Sequence, residues 1–161
     1  MPIGNNRCDG IYEPRPVTDA SCPALRLTVP AQRESLALLR HVVRGFRDAY
    51  EIGPATMDDI VLAVSEATTN VVLHAYPSRP GTMTVVANME DGRLHVLVRD
   101  HGPGIAPPAD TPRPGHGLAL MDHVAASLEI IGSPAGTDVI MTFDLIAEHD
   151  ERSRSDYDAA S

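Results

Sequence analysis

Residues 82–99 constrain the fold of this chain more than any other stretch. Met83, Val85 and Ala87 recur at every second position, Asp91-Gly92 follows, and Leu94, Val96 and Val98 resume the same period. A period of two sends one set of side chains to one face of a strand. Asp-Gly supplies the positive φ angles that a tight hairpin turn needs. The segment is therefore expected to be an antiparallel hairpin with one apolar face, and that face demands a second layer to cover it.

The covering layer is legible on both sides of the hairpin. Leu25, Leu27 and Val29 alternate with Arg26 and Thr28, a half-buried strand that stops at Pro30. Leu36, Leu39, Val43, Phe46 and Tyr50 then recur at three- and four-residue steps, which gives a helix one apolar face until Gly53-Pro54 ends it. A second helix is expected from Thr56, an N-cap, with Asp58 and Asp59 in a first turn where the helix dipole favours anions. Ile60, Val64, Ala67 and Val71 form its buried stripe, and Pro77 and Pro80-Gly81 close it. Pro103, Pro107, Pro108, Pro112 and Pro114 make residues 100–115 a loop. A short helix from about Leu118 to Ala126 follows, then strands near Leu128–Ile131 and Thr137–Leu145 joined by Ser133-Pro134-Ala135-Gly136. This order predicts an α+β two-layer sandwich, a mostly antiparallel mixed sheet with helices on one face. Residues 1–23 and 148–161 lack periodicity and are expected to be poorly ordered tails around one domain at 24–147.

Charge narrows the chemistry. The net charge is −9, and all 13 basic residues are Arg. An acidic chain repels phosphate backbones at long range, so nucleic acid is not an expected partner. Without Lys there is no Walker-A site, so a bound phosphate must be held by backbone N–H groups, a metal ion or Arg. No apolar run reaches the roughly 18 residues of a membrane helix. Cys8 and Cys22 make no disulfide framework, and Met1 to Gly10 lacks the apolar core of a signal peptide. A cytoplasmic protein is expected.

Four features bear on function. Glu66 and Asn70 lie one helical turn apart, a carboxylate beside a carboxamide, as a general base beside a hard-metal ligand would be. Leu62 and His74 lie near that line, with Ile60, Ala67 and Val71 on the opposite, apolar side. Asp100-His101-Gly102-Pro103-Gly104-Ile105 follows a strand, where the Asp can accept from an exocyclic amine and the glycines admit a ligand to the backbone. Gly115-His116-Gly117-Leu118 feeds a helix whose first N–H groups suit an anion. Gly136-Thr137 opens the last strand with a hydroxyl. Each alone reads more readily as a solvated helix face, a capped turn, a helix start or a strand start, respectively.

Taken in this order, the four features resemble the GHKL (Bergerat-fold) ATP-binding superfamily from about Leu25 to Leu145. Within it, Ser65-Glu66-Ala67-Thr68-Thr69-Asn70 through His74-Ala75-Tyr76 looks like the motif of the anti-sigma-factor serine kinases of the RsbW/SpoIIAB type. Glu66 and the single domain favour that branch. The resemblance implies a serine/threonine protein kinase that uses ATP and Mg²⁺, binds a sigma factor, phosphorylates a STAS-type anti-anti-sigma protein and forms a homodimer.

It also implies roles by position. Glu66 would be the catalytic base and Asn70 the Mg²⁺ ligand, with His74 in the nucleotide set. Asp100 would take the adenine amine, with Thr137. Gly102, Gly104 and Ile105 would line the base and sugar, and Gly115, His116, Gly117 and Leu118 would meet the phosphates. Pro103 to Pro114 would be the ATP lid, in which Arg113 reaches the γ-phosphate, a protein partner or only solvent. The lid is shorter and richer in proline than is usual in the family, and Gly-His-Gly stands where Gly-Met-Gly is common. Two other readings remain at this point. One is a nucleotide-binding anti-sigma module without significant kinase activity. The other is a detached histidine-kinase catalytic domain, whose phosphorylated product would be acid-labile.

Overall fold

The computed structural model describes residues 24–104 and 116–145. The expected tails at 1–23 and 148–161, and all of the expected lid from Pro103 to Pro114 except Pro103 and Gly104, lie outside the described residues. The elements run β1 (Leu25–Pro30), α1 (Arg33–Arg44), α2 (Phe46–Tyr50), α3 (Pro54–Asn70), a π-helical turn (Val71–Ala75), β2 (Thr82–Glu90), β3 (Arg93–Asp100), α4 (His116–Val124), β4 (Ser127–Ser133) and β5 (Gly136–Asp144). Among the described residues no helix is long and apolar enough to cross a membrane.

The strands form one sheet in the order β1-β2-β3-β5-β4, and every pairing is antiparallel. The hairpin turn is as expected: Asp91 has φ 48° and Gly92 φ 73°, the pair of positive angles that matches the strands' right-handed twist. The register then aligns the apolar residues in rows. Leu27, Val85, Val98, Val139 and Ile130 lie opposite one another across all five strands. The next row holds Val29, Met83 and Asp100. The helices cover this face, and Leu39, Ile60, Val64 and Met121 are fully buried against it. The other face carries polar cross-strand pairs: Thr28 with Thr84 at 2.9 Å, His95 with Thr142 at 3.1 Å, and a two-pronged ion pair from Arg99 to Asp138.

Three details of the helices differ from the expectation. The first apolar helix breaks at Gly45, and α2 ends at Glu51, whose left-handed φ of 52° reverses the chain. Tyr50 is only partly covered, its ring stacked on Phe46 with centroids 5.4 Å apart. The next helix begins at Pro54 rather than Thr56, because proline's fixed φ suits the first helical position and its missing N–H costs nothing there. Asp58 and Asp59 therefore fall in the second turn, beyond the free N–H groups of the first. Past Asn70 the helix widens into the π-helical turn. Just before it, Thr68 donates its hydroxyl to the Val64 carbonyl at 2.7 Å, a back-bond of the kind that bends helices.

Candidate functional site

The alternation that buries Leu94, Val96 and Val98 also buries Asp100, whose residue is 6% exposed. A carboxylate so placed must find donors. One is the Gly102 N–H, 2.8 Å from Oδ1. The carboxyl group also lines a cavity of about 420 Å³ between the helix layer and the sheet. Thr137, 7% exposed at the start of β5, lines the same cavity. The floor and walls beside these polar groups are apolar: Val139 and Ile130 from the sheet, Ala67, Val71 and Ala75 from α3 and its π-helical turn, and Leu118 from α4. An apolar-walled cavity with a buried acceptor suits an aromatic ring that carries an amine.

Asn70, His74 and Gly117 also line the cavity. Gly117 stands hard against α3. A Cβ at residue 117 would lie 2.7 Å from Glu66 Oε2 and 3.9 Å from Asn70 Nδ2. The start of α4 thus comes close to both the carboxylate and the carboxamide, and a side chain at residue 117 would displace the Glu66 carboxylate from its place. Gly104, with φ 75°, presses the loop after Asp100 against the β4–β5 turn, where a Cβ would strike the Ser133 carbonyl.

The cavity therefore gathers Asn70, His74, Asp100, Gly104, Gly117, Leu118 and Thr137. Glu66 stands beside Gly117 rather than in the cavity wall. Gly102 lines an adjoining opening. Ile105, Arg113 and Gly115, and the side chain of His116, lie outside the described residues. Ala67 and Val71 are not on the far side of α3 from Asn70. They are buried and form cavity wall beside it, because neighbouring helical positions differ by only about 100° and the cavity is wider than one residue. Ile130 and Val139, which no motif in the sequence marks, are cavity wall as well. The one signal that could have found them is their strand period, which they share with Thr137.

Among the described residues no group of three His, Cys, Asp or Glu side chains could hold a metal ion. A metal at Asn70 would need other oxygens, such as phosphates and water. That donor set fits Mg²⁺, which keeps several waters and is often bound through substrate phosphates.

Comparison with known proteins agrees with this geometry. Residues 29–143 match the model of the histidine kinase-like ATPase domain. A serine-protein kinase RsbW of Bacillus mycoides is 33% identical over 78 residues, which is 48% of this chain and 49% of that protein. The chain thus spans about half the length of the RsbW relatives it matches. An anti-sigma F factor of Clostridium acetobutylicum is 30% identical over 129 residues, 73% of this chain and 90% of that one. A crystal structure of the RsbU and RsbW domains of a Mycobacterium tuberculosis protein superposes with a TM-score of 0.62 at 23% identity, over 78% of this chain and 32% of that one, and shares the fold. With more than half of its length matched, this chain belongs to the histidine kinase-like ATPase domain family.

Proposed function

We propose that the chain binds ATP with Mg²⁺ and transfers the γ-phosphoryl group to a serine or threonine hydroxyl of a STAS-type anti-anti-sigma protein. In this reading it also sequesters a sigma factor, works as a homodimer in the cytoplasm, and exchanges one partner for the other. The observation that carries it is the approach of Glu66 and Asn70 to Gly117 beside an apolar-walled cavity that Asp100 also lines. Relatives named serine-protein kinase and anti-sigma F factor point the same way.

In the mechanism, Asp100 accepts from the adenine amine and Thr137 adds a hydroxyl beside it. The apolar walls exclude water from the ring. The first N–H groups of α4 receive phosphate oxygens, aided by the helix dipole. Asn70 would hold Mg²⁺, which when bound would neutralise phosphate charge. Glu66 takes the proton of the acceptor hydroxyl. The hydroxyl oxygen then bonds to the γ-phosphorus, the bond to the bridging oxygen breaks, and ADP leaves. Such transfer needs positioning and charge stabilisation more than covalent chemistry.

The test uses γ-labelled ATP, Mg²⁺ and an extract of the source organism, with Glu66→Ala in parallel. A small labelled protein, stable to acid and missing with the variant, is expected. General-base action is worth about 10²–10⁴-fold, so the variant should keep ATP binding and lose transfer. Acid-labile label would mean transfer to histidine. No Glu66-dependent label, with ATP bound, would refute the kinase reading.

A further inference from the structure

The hydroxyl of Tyr76 is bonded on two sides. It donates to the Thr82 carbonyl at 2.6 Å and accepts the His101 N–H at 2.8 Å. Tyr76 follows the π-helical turn, Thr82 opens β2, and His101 stands between Asp100 and Gly102. One side chain thus joins the end of the helix layer to the sheet and to the loop that follows Asp100. Its ring has a fixed seat, because Gly81 packs against it so closely that any Cβ there would overlap the ring.

Elsewhere the loop is held by packing: Gly136 lies against Asp100 and His101, Ala75 against Gly102 and Ser133 against Gly104, while the His101 N–H is fixed by the Tyr76 hydroxyl. An opening of about 500 Å³ backs onto the loop, lined by Tyr76, Arg79, His101, Gly102 and Pro103 among others. His101 itself is exposed. The Gly102 N–H bond to Asp100 is internal to the loop and cannot set the loop's place in the fold.

We infer that Tyr76 is a positioning residue for base recognition: its hydroxyl fixes the backbone at His101 and so aims the Asp100 carboxylate at a purine amine. This rests on the nucleotide reading above. A carboxylate only accepts hydrogen bonds. It therefore favours the amine of adenine over the carbonyl that guanine carries at the same place, and that preference depends on aim. Removing the hydroxyl leaves the cavity walls intact and lets the loop slacken.

Tyr76→Phe keeps the ring and removes one oxygen. Calorimetric titration of the full chain with ATP and with GTP, in Mg²⁺, reads the effect. The wild type should prefer ATP. In the variant ATP affinity should fall roughly 5-fold, the worth of one ordinary hydrogen bond, while GTP affinity stays, so the ratio narrows by the same factor. Amide exchange at His101 should quicken in parallel. Equal weakening of ATP and GTP, the result of a merely loosened fold, overturns the inference, as does an unchanged ratio. If Tyr76→Phe fails to fold, His101→Pro removes the N–H and leaves Tyr76 in place, and the same ratio decides. A wild type that binds neither nucleotide refutes the cavity reading and this inference together. A wild type that prefers ATP beside a variant that keeps the preference refutes the Tyr76 role alone.

Discussion

Gly117→Ala separates the catalytic reading of Glu66 from a purely structural one. The new methyl would sit 2.7 Å from Glu66 Oε2, and the carboxylate must retreat about 0.7 Å to reach an ordinary 3.4 Å contact. The carboxylate is the far end of a flexible side chain, so it moves and the backbone does not. A displacement near 1 Å in a reacting group costs on the order of 10²-fold in rate, so phosphoryl transfer should fall about 10- to 100-fold. The cavity for the base is untouched, and ATP affinity should stay within about 3-fold of the wild type. Residue 117 is helical, and alanine in place of glycine there favours the helix by roughly 0.5–1 kcal/mol. The thermal midpoint should therefore hold or rise. The assay is single-turnover transfer to the acceptor found by labelling, beside ATP titration and thermal unfolding. Wild-type turnover in a folded variant would refute the placement of Glu66 at the reacting centre. Lost ATP binding would show instead that the missing side chain serves the phosphates.

Two further outcomes follow from the geometry. Asn70→Ala should weaken ATP binding in Mg²⁺ about 10-fold or more while leaving binding in EDTA nearly unchanged, since the carboxamide acts through the ion; equal affinity in Mg²⁺, read by titration, would remove Asn70 as the metal ligand. Arg99→Ala should lower the urea midpoint, because it removes an ion pair whose side chains are only 12% and 14% exposed, and ATP affinity should not change because the pair is on the opposite sheet face.

The hairpin was readable because its information is local: alternation and Asp91-Gly92 dictate the strands, and the strands place Asp100. The α3 stripe was readable for the same reason, through Ile60, Val64, Ala67 and Val71. The break at Gly45 was not, since Phe46 stays in phase with Leu39 and Val43 and hides the discontinuity. The start of α3 was misplaced because Thr56 looks like a cap, whereas Pro54 is favoured at a first helical position by its backbone alone. Of the site, the polar residues stood out by type. Ile130 and Val139 did not, because a residue that walls a cavity has the same strand period as one that fills the core. Tyr76 was visible as the end of the His74-Ala75-Tyr76 motif, but its bonds were not, because both go to backbone atoms 6 and 25 positions away, and no periodicity registers a partner of that kind.

The two-residue turn at Asp91-Gly92 has a reach beyond the hairpin. Eight residues on, roughly 27 Å along β3 at a strand's rise, it decides which side chain enters the cavity. A slip of one residue would turn Asp100 away and present Arg99, exchanging an acceptor for a cation and breaking the Arg99–Asp138 rung on the other face in the same stroke. Ligand preference and strand alignment are thus one variable, and the polar rung acts as a lock on the chemistry of the face it never touches.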